Sequence, residues 1–168
     1  QTECYQAVVQ PIPGSSDYKL VTTGYGRDTE AQTTDIVSLR LTSNGQLDTT
    51  YGTNGAVRID VGGFADNSRH VLVLPDRRIM LVGGGRPADA ANVDGWIGML
   101  MPDGQPDTGW DAKGWKTMDL GGPADFLWSL ALSPDSKTVA VVGFRGVGNI
   151  PSTSTLNDDT ALVLLPVQ

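Results

Sequence analysis

The chain has 168 residues, enough for one ordinary domain, and its 39% hydrophobic and 18% charged residues are typical of a globular protein. A net charge of −7 argues against binding to nucleic acid or to an anionic membrane surface, both of which attract a basic protein face. No apolar run approaches the roughly 18–20 residues of a membrane-spanning helix, so we expect no membrane insertion.

A repeat organises the chain, and its first appearance is incomplete. Residues 1–34 match the back half of a unit that recurs later. A shift of 59 positions superimposes residues 35–84 on residues 94–143 without a gap, with 16 identities in 50. Complete units therefore span residues 35–93 and 94–158, and residues 159–168 begin another. We interpret residues 1–168 as one segment of a repeat protein.

Each complete unit predicts four short strands and little or no helix, because no segment keeps an apolar period of 3.6 residues. The predicted strands are residues 36–41, 56–61, 70–74 and 78–82, and then 96–101, 115–120, 128–132 and 137–142. The third and fourth strands are nearly continuous apolar runs, which indicates burial on both faces. With the partial units, the total is eleven strands.

The turn after the first strand carries a recognisable motif, read as SNGQLDTTYGTNG at residues 43–55 and PDGQPDTGW at residues 102–110. These segments resemble the delta-sixty repeat family, whose pattern is a strand, Pro-Asp-Gly-x-Leu-Asp-x-x-Phe-Gly, a strand, Gly-Gly, and a strand ending Gln-Pro-Asp-Gly-Lys. The resemblance covers nearly the whole chain and implies a β-propeller without transferable catalytic residues. Pro106 and Asp111 depart from the pattern and affect the local turn geometry.

The predicted strand count does not close a ring. Eleven strands make about two and three-quarter four-stranded blades, whereas propellers close with about 4–8 blades. Unfinished sheets leave open edges that pair with other chains. We therefore expect an all-β partial β-propeller whose ring is completed by further copies of the chain or by a second chain of the same precursor.

The first residues bear on processing and location. A start at Gln1 rather than at Met suggests cleavage from a longer precursor, and we expect a secreted, periplasmic or cell-surface protein. Cys4 is the only cysteine, so no internal disulfide can form and the redox compartment stays open.

The links after each fourth strand differ in length and composition, and variable loops on a rigid scaffold commonly carry function. Arginines recur at the beginning of these links: Arg27, Arg86 and Arg145. Together they could clamp an acidic ligand, or each could pair with a nearby aspartate.

Tryptophans and aspartates are the other candidates. Trp96, Trp115 and Trp128 are not required by the repeat and could stack on sugar rings, or they could be core residues. Link aspartates could converge on a hard cation such as calcium, or they could cap turns: Asp28, Asp89 and Asp158. We predict no other cofactor.

His70 is the only histidine, which excludes a histidine-rich metal site. It aligns with Gln6 and Ser129, which suggests a hydrogen bond at the strand edge, with a catalytic base as the alternative.

Two functional hypotheses and a structural one follow. The leading hypothesis is a non-catalytic propeller that binds a ligand or a protein. The alternative is one fragment of a processed propeller enzyme, such as a hydrolase or a quinone-dependent dehydrogenase, whose catalytic residues lie partly on another chain. The third is an architectural module of a larger surface protein.

Overall fold

The computed structural model describes residues 2–27, 33–146 and 158–167, and in these residues the protein is all-β. It has the predicted eleven strands: β1 Thr2–Pro11, β2 Tyr18–Gly26, β3 Asp35–Thr42, β4 Ala56–Ile59, β5 Asn67–Val73, β6 Ile79–Gly85, β7 Asp94–Leu100, β8 Trp115–Met118, β9 Asp125–Leu132, β10 Thr138–Gly146 and β11 Asp158–Pro166. A search of this described part of the chain gives no helix that could cross a membrane.

The strands form three antiparallel sheets, each made of consecutive strands. Sheet 1 has the order β1-β2-β3-β4, sheet 2 the order β5-β6-β7-β8, and sheet 3 contains β9, β10 and β11. The sheets are offset by two strands from the units of sequence repetition, because residues 35–93 contribute β3 and β4 to sheet 1 but β5 and β6 to sheet 2. The chain therefore changes sheet at the Gly-Gly loops, whereas the variable links join neighbouring strands within a sheet.

Two apolar clusters cover the two faces of sheet 2. One joins sheets 1 and 2 through side chains such as Val21, Ile36 and Trp96. The other joins sheets 2 and 3 through side chains such as Val82, Ile97 and Val141. Every residue of β6 is buried, as its continuous apolar sequence predicts. Sheet 2 is thus enclosed between its two neighbours.

The first strands of the three sheets are neighbours: β5 contacts β1 on one side and β9 on the other. Each of the three strands has a β-bulge at the equivalent position. The bulge leaves Tyr5, Arg69 and Trp128 outside the regular pairing with the next strand. A glycine faces the residue before each bulge: Gly24, Gly83 and Gly143. A Cβ atom there would lie 1.8–2.0 Å from a carbonyl oxygen of the first strand, so the close approach requires glycine.

Candidate functional site

The three bulged residues meet in space, and we call Tyr5, Arg69 and Trp128 the bulge stack. The guanidinium carbon of Arg69 lies 4.0 Å from the centroid of the Tyr5 ring and 4.7 Å from that of Trp128. Phe126 adds a third ring at 5.7 Å. Tyr5 and Trp128 remain 41% and 46% exposed, so the stack lies at the surface.

The residues that follow the bulges form a second group, the polar row of Gln6, His70 and Ser129. The amide nitrogen of Gln6 lies 3.0 Å from Nε2 of His70, and the hydroxyl of Ser129 lies 2.9 Å from Nδ1. The predicted strand-edge hydrogen bond is therefore present, and it joins all three first strands.

The backbone fixes the tautomer of His70. The Gln6 side-chain oxygen accepts the N–H of Val71 at 2.7 Å, so its NH₂ group must face the imidazole. Nε2 of His70 consequently accepts a hydrogen bond, and the proton of the neutral ring lies on Nδ1 and is donated to Ser129. A general base for Ser129 would need an unprotonated nitrogen there, so this arrangement does not support Ser-His chemistry.

Acid should weaken the polar row. Burial lowers the pKa of His70 from its usual 6.5. A lowered pKa means that the unfolded chain binds the proton more readily, so the contribution of His70 to stability is complete above about pH 6.5 and is lost as the pH falls through the folded-state pKa.

We expect the free energy of unfolding of the wild type to fall relative to that of His70→Phe between about pH 7 and pH 5. Urea unfolding of both proteins across this range measures the difference and removes the effect of groups common to both. If the difference in unfolding free energy between the two proteins does not change with pH, the lowered pKa of His70 is contradicted.

The recurring arginines make separate, local contacts. Arg86 donates from Nε to the carbonyl oxygen of Ala90 at 3.1 Å and lies 3.8 Å from the centroid of Phe64. Arg145 pairs with Asp159 at 3.2 Å on the surface. Arg27 is exposed and lines a shallow depression with Thr2 and Arg58. None of these contacts joins the three arginines to one another.

The three tryptophans lie in different environments. Trp96 is fully buried in the cluster between sheets 1 and 2, so its ring cannot stack on an external ligand. Trp115 is half-buried, and Trp128 is the exposed member of the bulge stack. Of the three candidates, Trp115 and Trp128 therefore keep a surface that a ligand can reach.

Trp115 and Asp89 line one pocket of about 480 Å³ together with Asp94 and Lys113. The Lys113 ammonium lies 4.6 Å from the centroid of the Trp115 ring. Burial, followed by the charges of Asp119 and Asp125, raises the pKa of Asp94. Carboxylates beside an indole can accept hydrogen bonds from the hydroxyls of a ligand that stacks on the ring.

Two equivalent acidic groups lie where the chain passes between sheets: Asp35, Asp60 and Asp66, and their repeats Asp94, Asp119 and Asp125. In each group, one carboxylate oxygen per residue lies within 4.8 Å of the others. Burial raises the pKa of Asp66 to about 6, although it accepts hydrogen bonds from the N–H groups of Val61 and Arg86. These carboxylates could hold a hard cation, but neither group contains Asp28, Asp89 or Asp158, the link aspartates put forward as metal ligands from the sequence. Asp28 and the side chain of Asp158 lie outside the described residues, and Asp89 lies in the pocket beside Trp115.

Sequence reasoning did not select Tyr5, Arg69 or Gln6 as site residues. An alignment shows that Tyr5, Arg69 and Trp128 occupy one repeat position. Because the three residue types differ, the alignment does not indicate that their side chains are in contact. The structural signal is the bulge, which no residue type at that position encodes.

No protein-family model matches the chain, and a search of curated proteins finds no match.

Proposed function

We propose that the chain is a non-catalytic, ligand- or protein-binding module of a β-propeller, built into a closed ring with further sheets of the same kind. The observation that carries the proposal is a difference between equivalent positions: side chains that are buried in sheet 2 have equivalents in sheets 1 and 3 that are exposed or only half-buried. The secreted or cell-envelope location expected from the sequence belongs to the same proposal.

In sheet 3 the uncovered face is apolar. Leu162 and Leu164 are 63% and 62% exposed, and Val142, the β10 partner of Leu162, is 40% exposed. In sheet 2, the residues equivalent to Leu162 and Leu164 are Ile97 and Met99, which are only 0% and 2% exposed. The middle sheet therefore indicates what normally covers this face, which is another sheet.

Sheet 1 has the complementary free face. Val9, Leu20 and Leu41 pair in one row across it, and Val9 is 52% exposed. The equivalents of Leu20 and Leu41 are Ile79 and Leu100, both fully buried between sheets 1 and 2. Contiguous uncovered apolar surface is typical of a protein interface, and continuity with the two sheet-on-sheet interfaces within the chain supports another such sheet as the occupant.

The assembly can be tested with Leu162→Asp/Leu164→Asp, which charges the free face of sheet 3. We expect the wild-type chain to form particles larger than its 17.8 kDa mass, or to bind a hydrophobic dye where partner sheets are lacking. The double variant should lose the association or the dye binding, because charged side chains cannot be desolvated there without a partner. Light scattering after size-exclusion chromatography and dye fluorescence measure both.

Met101→Asp is the matched control, since Met101 is a 41% exposed apolar residue that follows β7 in a turn. It should leave the association and the dye binding unchanged. A compact wild-type monomer that binds no dye would contradict the proposal.

The enzyme-fragment alternative has one observation in its favour, the contact between Ser129 and His70. The tautomer imposed by Gln6 places a proton on the nitrogen that faces the serine. This supports binding rather than hydrolysis as the role of the module.

A further inference from the structure

We propose that the bulge stack is a binding site for a carboxylate carried on a ring. The inference extends the proposed function, since it names the ligand class of a binding module, but Tyr5, Arg69 and Trp128 all belong to this one chain. The site therefore does not require ring closure.

The first argument is the way the three side chains are brought together. They leave three different sheets at the same backbone irregularity, and each bulge is made possible by an opposing glycine. β-Bulges re-aim a side chain and are common beside binding sites. Here three of them direct one cation and two aromatic rings to one place.

The second argument is the state of the Arg69 guanidinium. Aromatic rings contact it, yet within the described part of the chain it has no hydrogen bond and no ion pair. Its Nε atom is buried and lacks an acceptor. A buried donor without an acceptor costs free energy, so the rings satisfy the guanidinium only in part, and a carboxylate could accept two charge-assisted hydrogen bonds from its terminal nitrogens.

The surroundings define the rest of the ligand. Tyr5 and Trp128 offer partly exposed rings beside the cation, which suit a ligand ring with an apolar face. Glu3 is the acidic residue nearest to Tyr5 along β1, and its carboxylate is hydrogen-bonded to Tyr25. An aromatic acid and a sugar acid share the required chemistry, a carboxylate on a ring.

Isothermal titration of the full chain with four probes tests the site. Benzoate and glucuronate carry both elements, acetate has only the carboxylate, and glucose has only the ring. We expect benzoate or glucuronate to bind at least about tenfold more tightly than acetate and glucose. Comparison of the first two identifies an aromatic or a sugar ring as the preferred one.

Arg69→Met should weaken binding of the preferred probe by at least about tenfold. Arg69→Lys keeps the charge against the rings but loses the planar fork, so it should also weaken binding and serves if Arg69→Met does not fold. Arg86→Met is the matched control, because Arg86 also stacks on a ring while its Nε is already bonded to Ala90. It should bind like the wild type.

Two results would overturn the inference: no saturable binding of benzoate or glucuronate at millimolar concentrations, or unchanged binding in a folded Arg69→Met or Arg69→Lys variant. Either result combined with intact association of the chain would reject the carboxylate site alone. Loss of association with intact probe binding would reject only the assembly.

Discussion

Replacement of Arg40 by methionine should lower the free energy of unfolding by about 3–5 kcal/mol, the usual effect of breaking a buried ion pair. Arg40 is 7% exposed and donates from Nε to Asp48 at 2.8 Å. Its Nη1 donates to the side-chain oxygen of Gln10 and to the carbonyl oxygen of Pro102, at 2.9 and 2.6 Å. Pro102 follows β7, so this guanidinium joins sheet 1 to sheet 2. Methionine suits this strand position, because the equivalent residue in sheet 2 is Met99. It cannot pair with Asp48, so the variant leaves this buried carboxylate without the Arg40 charge.

The same variant should lose less stability in acid than the wild type does. Burial alone would raise the pKa of Asp48, but hydrogen bonds from Thr50 and the charge of Arg40 lower it to about 2. The stabilising contribution of Asp48 is therefore present above pH 3.8 and is lost as the pH falls through 2. Without Arg40 the folded-state pKa of Asp48 rises, so this pH-dependent contribution shrinks, and the difference in stability between the variant and the wild type should narrow as the pH falls from about 4 to 2.

Urea unfolding of Arg40→Met at neutral and acidic pH measures both effects. Arg145→Met is the control, since Arg145 and Asp159 form an exposed pair and such pairs contribute about 0–1 kcal/mol. Equal losses in the two variants would contradict the structural role of Arg40.

Gly83→Ala should destabilise the protein by about 3 kcal/mol, the upper part of the range for overpacked sites. The new methyl group would lie 2.0 Å from the carbonyl oxygen of Asn67, a backbone atom that cannot move without opening the bulge of β5. For a protein of this length the loss corresponds to a fall of roughly 6–12 °C in Tm. Differential scanning calorimetry measures it.

Gly109→Ala provides the comparison. A methyl group there would meet only the carboxylate oxygen of Asp107, at 3.3 Å, and a side chain can adjust. A change in Tm as large as that of Gly83→Ala would show that the loss of glycine, rather than the bulge, is responsible.

The repeat predicted the strands and turns because both are local. Asn-Gly and Asp-Gly pairs encode the turns after β3 and β7, where Gly45 and Gly104 have φ angles of 82° and 87°. The alternation of apolar residues encodes the strands. The limits of the sheets were not predictable in the same way, because a period defines the spacing of units but not the point at which the chain passes to the next sheet.

The candidate site was predicted less well, for a related reason. His70, Gln6 and Ser129 align in the sequence, and the expected hydrogen bond is present. Trp96 and Trp115 look alike in the sequence, yet one is core and the other lines a pocket, because neighbouring sheets decide their burial. Arg69 was overlooked since its role depends on rings from two other sheets.

At each bulge, one feature recurs in all three sheets and another differs between them. Each one keeps its glycine, at Gly24, Gly83 and Gly143, while the residue it displays is tyrosine, arginine or tryptophan. A mutation at a displayed residue changes the chemistry of the bulge stack and leaves the opposing glycine in place. Duplication of such a unit followed by single substitutions can diversify recognition one sheet at a time, with the scaffold inherited unchanged.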